Sequence, residues 1–272
     1  MDRFASLAPT LPKVCRLGLA TRGNTKLDPA DVHWAIEQGV NYLNWCGKPD
    51  GLSQAIAEMG TSRANVVVAT QFKARTAAEA EREFDWILKQ TASDRLEVAT
   101  MYYVESDEEW QQLIAPGGAW QVLERRKREG QLGLIGVTTH QRRLAAKWAA
   151  EGRVDLLMVR YNAAHRAAEQ DVFPKATELC LPVVTFTGLR WRALLERTPS
   201  DPSGATPPTA PDCYRFCLAN PAVTVSITAP SGSQELRENL ALLDDWTPPT
   251  NDHIKAIRQH GDRVHHHVSE FA

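Results

Sequence analysis

The sequence predicts an α/β fold of one kind, a closed (β/α)8 TIM barrel. Two observations predict it. Short apolar runs alternate with longer amphipathic stretches almost from end to end, the pattern of repeated strand–helix units. Eight of these runs read as strands within about 250 residues, and an open doubly wound sheet would need fewer strands or a second domain. With 272 residues, 43% of them hydrophobic and 24% charged, the chain is long enough for a single sizeable core, so one domain spanning 1–272 is expected.

The elements follow in order. The first strand is Cys15 to Ala20. A helix over Pro29 to Gln38 has Asp28 as N-cap, Pro at its first helical position and Gly39 as its stop. Strands at Tyr42–Trp45, Val66–Phe72 and Leu96–Tyr103 come next, with an amphipathic helix over Ala77–Gln90 before the third of these. The alternation continues through helix Trp120–Glu129, strand Leu132–Thr138, helix Arg142–Glu151, strand Leu156–Tyr161, helix Asp171–Leu179 and strand Val183–Phe186. Residues 196–212 carry five prolines with Ser, Gly and Thr, too extended a stretch to pack as an element. Following a barrel strand, it reads either as a lid over a ligand or as a disordered insertion. The last strand is Val223–Thr228 and the last barrel helix Gln234–Leu243, after which a helical pattern carries the C-terminal histidines.

Composition excludes several function classes. The formal net charge is −2 and the basic residues are scattered or lie on helix faces, as in Glu124–Glu129, so neither nucleic acid nor an anionic membrane is expected as a partner. No apolar segment reaches spanning length and the first fourteen residues lack a signal-like apolar core, which makes a cytoplasmic protein with a small-molecule ligand the expectation. The five cysteines are odd in number and mostly lie in apolar runs, as reduced buried thiols do. Cys213 and Cys217 share a helix face without further ligands, and the adjacent His265, His266 and His267 point in different directions on a helix, so no metal site is expected. The Val-Ser-Glu-Phe-Ala that follows them is unlike a terminal purification tag. Around the first strand, Leu17-Gly-Leu-Ala-Thr-Arg-Gly23 lacks the Gly-x-Gly-x-x-Gly spacing, so any dinucleotide would not bind in Rossmann fashion.

A set of segments, in order across nearly the whole chain, carries a resemblance. These are Leu17-Gly-Leu-Ala-Thr21, Gly39-Val-Asn-Tyr42, Val67-Val-Ala-Thr70, Glu129 through Val137, Arg160-Tyr-Asn162, Pro182 through Thr187, Asn220 through Val225, and Glu238-Asn239. Together they resemble the aldo-keto reductase superfamily. The resemblance implies a barrel that binds extended NADP(H) at its carboxyl end and passes hydride to a small carbonyl compound. The family's tyrosine donates the proton, tuned by a lysine and a histidine, with an aspartate holding the lysine. Such chemistry needs a cation near the phenol, because an unperturbed phenol near 10 is a poor donor at pH 7.

Carried over residue by residue, the family's tetrad is replaced. Its aspartate falls on Asn44, its tyrosine on Pro49, its lysine on Gln71 and its histidine on Tyr102. Lys73, two positions beyond Gln71, would share a side with it if the strand continued. Tyr102 and Lys73 are then either a relocated donor with its cation or, for Tyr102, an apolar plug with a hydrogen-bonded tip, the role a buried tyrosine usually fills and the favoured reading. At the cofactor, the resemblance places Thr138 and Thr139 at the nicotinamide amide, Met158 where a glutamine belongs, and Phe186 under the ring. On the phosphate and adenine side it places Ala229, Ser231, Glu235, Arg237, Glu238 and Asn239. Backbone amides at the helix start near Ser231 make an anion site in their own right.

His165 and Arg166 start a rim loop and are candidates for an anionic ligand, His being the side chain most easily poised near neutrality. His33 and His140 read as surface or capping residues. Three functions follow: an NADP(H)-dependent oxidoreductase with a non-standard site, a catalytically inactive pseudoenzyme that binds a nucleotide or other ligand, and a non-redox lyase or isomerase using Tyr102, Lys73 or His165.

Overall fold

A computed structural model of the chain describes residues 1–22 and 25–267. Gly23, which closes the Leu17–Gly23 segment, and residues 268–272, on which the reading of the C-terminus as untagged depended, lie outside the described residues. Strands β1 (Phe4–Ala5) and β2 (Val14–Cys15) form an antiparallel pair. The eight barrel strands are β3 (Leu17–Ala20), β4 (Tyr42–Trp45), β5 (Val67–Phe72), β6 (Leu96–Met101), β7 (Leu132–Thr139), β8 (Leu156–Arg160), β9 (Val183–Phe186) and β10 (Val225–Thr228). All eight pair in parallel, and β10 closes on β3, giving the cyclic order β10-β3-β4-β5-β6-β7-β8-β9. The predicted (β/α)8 barrel is the architecture observed.

The helices are α1 (Pro29–Glu37), α2 (Gly51–Glu58), α3 (Ala77–Gln90), α4 (Asp107–Ile114), α5 (Ala119–Arg128), α6 (Arg142–Ala150), α7 (Ala168–Glu178), α8 (Ala210–Ala219), α9 (Ser233–Leu240) and α10 (Asn251–His267). Two of them, α2 and α4, are not among the helices predicted. Both have a legible start, since Asp50 accepts from the Ser53 amide at 3.0 Å and Ser106 from the Glu109 amide at 3.1 Å, but each is only eight residues long, too short for its period to stand out.

The core has two layers. Inside the barrel, Val67, Ala69, Val98, Leu134, Leu156, Val184 and Val225 pack around Tyr42, whose hydroxyl is buried without a hydrogen-bond partner and whose ionisation burial pushes up. Leu7 and Val14 join this layer, so the N-terminal segment is packed into the barrel interior. Between strands and helices lies the larger layer, which includes the contacting indoles of Trp110, Trp120 and Trp148. The expected single strand from Cys15 to Ala20 is broken at Arg16, whose guanidinium turns to the carbonyls of Leu218 and Val223 at 2.8 Å each.

Residues 196–212 adopt a definite conformation. The Asp201 side chain, 1% exposed, accepts from the Thr198 amide at 2.7 Å and pairs with Arg263 of α10 at 2.5 Å and with His260 at 3.3 Å. The last three residues of the stretch are the first turn of α8, capped by Thr209. Among the described residues lining the cavity at the barrel mouth, none comes from this segment, which docks on α10 instead of covering the mouth.

Candidate active site

A cavity of about 380 Å³ opens at the carboxyl ends of the barrel strands. Alternation along β5 puts Val67 and Ala69 in the barrel interior, so Gln71 and then Lys73 emerge on the same side at the mouth, although the strand itself ends at Phe72. Asn44, near the end of β4, is 1% exposed and its Oδ1 has no hydrogen-bond partner. Pro49 lies in the next loop, held where the Trp45 indole donates to the Lys48 carbonyl at 2.8 Å.

Tyr102 follows β6. Its amide donates to the Phe72 carbonyl at 2.9 Å, and its carbonyl accepts from Arg75 at 2.6 Å, so the backbone is fixed from both sides. The side chain is partly exposed and lines the cavity, which corrects the expectation of a buried plug with a hydrogen-bonded tip: no described residue bonds to its hydroxyl. Lys73 Nζ stands 5.7 Å from the centre of the Tyr102 ring. Asn44, Gln71, Tyr102 and Lys73 are therefore brought to one cavity.

Tyr103 is a different case. It has a φ of 43°, stacks on His140 at 4.4 Å, and meets Phe186 edge-on at 6.2 Å. Burial, reinforced by Tyr102 and Glu105, pushes its phenol up to about 12. His140, whose side chain is 38% exposed, stands at the surface as expected but is also stacked on Tyr103 and paired with Glu105, and burial lowers its pKa.

The positions assigned to a cofactor divide. Phe186 and Met158 line the cavity, and Thr138, paired with Met158 across β7 and β8, keeps a buried Oγ1 without a partner. A flat ring would find the aromatic face of Phe186 here, whereas the Thr138 hydroxyl is buried behind the wall and is not among the groups that line the cavity. Thr139 turns away and accepts from the Gln141 amide at 2.9 Å. On the β10 side, the Ser231 amide donates to Glu235 at 2.9 Å, and Glu235 pairs with Arg192 at 3.4 Å, so a protein carboxylate already meets this amide at the start of α9. Arg237 is not brought to the cavity; its guanidinium lies 4.4 Å over the Trp34 ring. Glu238 is exposed and accepts from Gln234, whereas Asn239 is fully buried and donates to Thr228 Oγ1 at 2.8 Å.

His165 and Thr139 line a second hollow of about 540 Å³ beside α6 and α10. Both ring nitrogens of His165 lie within 3.1 Å of an Arg190 nitrogen, and its pKa falls to about 3 through burial, then Arg190 and Arg160. Arg166 is a tether, bonded to the Ala163 carbonyl and to Asp262. His33 lies 3.7 Å from Glu58 on the surface. All five cysteines are free thiols, with Cys15, Cys213 and Cys217 buried, and among the described residues no three His, Cys, Asp or Glu side chains cluster as metal ligands would. No helix among the described residues is long and apolar enough to cross a membrane.

Three cavity cations escape a reading by family position: Arg22 after β3, Lys48 after β4 and Arg192 after β9. Each sits in a loop that follows a barrel strand, which is the signal that could have found them.

No family model matches the chain. Among curated proteins it is similar to an uncharacterized oxidoreductase of Bacillus subtilis (strain 168), YrpG, with 21% identity covering 77% of this chain and 80% of that one. Among solved structures it superposes on aldo-keto reductase AKR11C1 from Bacillus halodurans in its holo form, with a TM-score of 0.76 at 15% identity, covering 96% of each chain. The apo form of the same protein gives 0.74 over the same shares.

Proposed function

We propose that this chain, whose barrel has the aldo-keto reductase fold, is an oxidoreductase that reduces a small carbonyl compound with a nicotinamide dinucleotide, using Tyr102 as proton donor and Lys73 as its cation. The observation that carries the reading is Tyr102 in the mouth cavity, its hydroxyl free of described partners and an ammonium beside its ring. Phe186 would stack on the nicotinamide, with Thr138 buried behind it, and Arg22 and Arg192 would meet the phosphates. The dinucleotide, when bound, supplies the hydride. Tyr102 gives its proton to the carbonyl oxygen, and the Lys73 ammonium stabilises the phenolate left behind. Tyr103 is the poorer donor of the two, its ring stacked on His140 and set edge-on to Phe186, with burial raising its phenol. Asn44 and Gln71, both neutral, line the floor and contribute no charge.

The test is a titration with NADPH, and in parallel NADH, followed by the fluorescence of the eight tryptophans. Micromolar, saturable quenching with competition by the oxidised form supports the reading. A carbonyl screen follows, in which Tyr102→Phe should lower kcat/KM by about 10²- to 10⁴-fold, the usual worth of a general acid. Absence of binding up to millimolar of both cofactors would sink it. A second reading, a ligand-binding protein without turnover, is favoured by Glu235 on the Ser231 amide, where a bound anion could otherwise lie. Saturable binding with no reduction of any carbonyl would select it, and turnover without nicotinamide would point to a lyase or isomerase.

A further inference from the structure

The cavity has two charged sides, set by the barrel order. β9 and β10 stand diametrically across the eight-stranded ring from β5 and β6. On the β10 side Arg192 pairs with Glu235 at 3.4 Å, whereas Arg22 meets no carboxylate among the described residues and donates to Ser231 Oγ at 3.4 Å. The opposite side carries Lys73, after β5, with Lys48 from the adjoining β4 loop. Neither ammonium has a carboxylate within 4.0 Å among the described residues.

The local acids bond backbone amides or Arg75, not the two lysine ammonium groups. Asp50 caps α2 through one oxygen, which accepts from the Ser53 amide, while its Oδ2 is buried without a hydrogen-bond partner, and Glu83 accepts from the amides of Lys73 and Ala74 at 2.6–3.0 Å. Glu79 takes the amides of Arg75 and Thr76, and Glu109 takes Arg75 Nε and the Glu105 amide. Lys48 and Lys73 are thus left without a carboxylate partner among the described residues, side by side in a concave site, beside a phenol whose hydroxyl is unspent. Lys48 is also positioned: Gly47 takes a left-handed φ of 73°, Pro49 fixes the next φ, and the Trp45 indole holds the Lys48 carbonyl.

We infer that the Lys48/Lys73 side of the cavity is an anion subsite, and that the carbonyl compounds it selects carry a carboxylate or a phosphate. This rests on the carbonyl-reductase reading for the word carbonyl, but not for the word anion. Tyr102 lies between the two functions: Lys73 Nζ stands 5.7 Å from the centre of its ring, and Lys48, on the loop of the neighbouring strand, would meet the part of a small substrate remote from the reacting oxygen. Two charge-assisted contacts of this kind, made by exposed side chains, are together worth roughly tenfold in affinity.

The experiment compares 4-carboxybenzaldehyde, 4-formylphenyl phosphate and the neutral methyl 4-formylbenzoate, first by tryptophan quenching without cofactor, then by turnover with it. Trp191 lines the same cavity and reports binding. The expected result is that at least one acidic aldehyde binds tenfold or more tightly than the ester, that the advantage shrinks with added salt, and that it collapses in Lys48→Met and in Lys48→Met/Lys73→Met. Whichever acid binds tighter identifies the anion. Both lysines are exposed, and a thermal melt of each variant checks that folding is intact. Equal affinity for acid and ester, or an advantage that survives both substitutions, overturns the inference. Acid binding without reduction leaves the subsite standing and removes the redox reading, whereas reduction of acid and ester with equal kcat/KM does the reverse.

Discussion

At the scale of single residues, the chemistry of this barrel is decided by what surrounds each side chain more than by its type. His165 illustrates this. The sequence offers it as a group poised near neutrality on a functional rim, yet burial, then the guanidinium groups of Arg190 and Arg160, lower its pKa from 6.5 to about 3. In the unfolded chain it would protonate near 6.5, so between those values the unfolded state binds the extra proton. The stability contribution of this site is therefore complete above about pH 6.5 and is lost as pH falls toward 3. Imidazole proton shifts followed by NMR should show no His165 titration between pH 5 and 8. A midpoint near 6.5 would restore it as an anion-binding or acid–base group. Nothing in the sequence around Tyr161–Glu169 could reveal this, because Arg190 comes from another loop. By contrast Asn44, Gln71 and Lys73 were legible, since strand alternation alone sends 71 and 73 to one side. The openness of Tyr102 was not legible: it depends on β6 ending at Met101, one residue before the tyrosine, and strand ends are set by pairing partners rather than by local pattern.

At the scale of elements, two loops leaving β9 behave in opposite ways. The nearer one, Thr187–Arg192, holds Thr187, Arg190, Trp191 and Arg192 at φ between 47° and 72°, a region that costs a non-glycine residue of order 1 kcal/mol each. That strain is held by the surrounding packing and presents Trp191 and Arg192 to the cavity. The farther one, residues 196–209, is proline-rich and reads locally as unstructured, but its Asp201 finds Arg263 and His260 more than fifty residues downstream. Burial alone would raise this carboxyl; the Thr198 amide, Arg263 and His260 outweigh it and hold the pKa at about 2. Its contribution is present above about pH 3.8 and is lost as pH falls through 2. Asp201→Asn is accordingly expected to expose the 196–209 segment to limited proteolysis at neutral pH while the barrel stays folded. Cleavage no faster than in the unaltered chain would show that the prolines, and not the ion pairs, fix the loop. Long-range partners of this sort are invisible to a periodicity argument, which is why the lid and the disordered insertion were both wrong descriptions of one docked loop.

At the scale of the whole molecule, α10 connects the loops that the barrel otherwise leaves independent. From one helix, His260 donates to the Leu194 carbonyl at 3.0 Å, Arg263 holds Asp201, Asp262 holds Arg166, and Arg258 pairs with Glu169 at 2.7 Å. The loops after β8 and β9 are thereby fastened to a single rigid bar beside the mouth. The helix can lie this close only because residue 261 has no side chain: a Cβ there would sit 2.2 Å from the Ala163 carbonyl oxygen, and the obstacle is backbone, which cannot swing aside. A mid-helix glycine ordinarily weakens a helix relative to alanine, so a surface-helix rule predicts that Gly261→Ala stabilises. The close approach predicts the reverse. Lifting α10 should cost about 1–3 kcal/mol, as overpacking does, and should loosen both tethered loops together. Thermal melting with hydrogen exchange over residues 162–170 and 194–203 distinguishes the two. A lower Tm with faster exchange in both segments identifies α10 as the common clamp, a lower Tm with exchange changed in one segment shows that the loops are held separately, and a higher Tm means that helix propensity outweighs the contact.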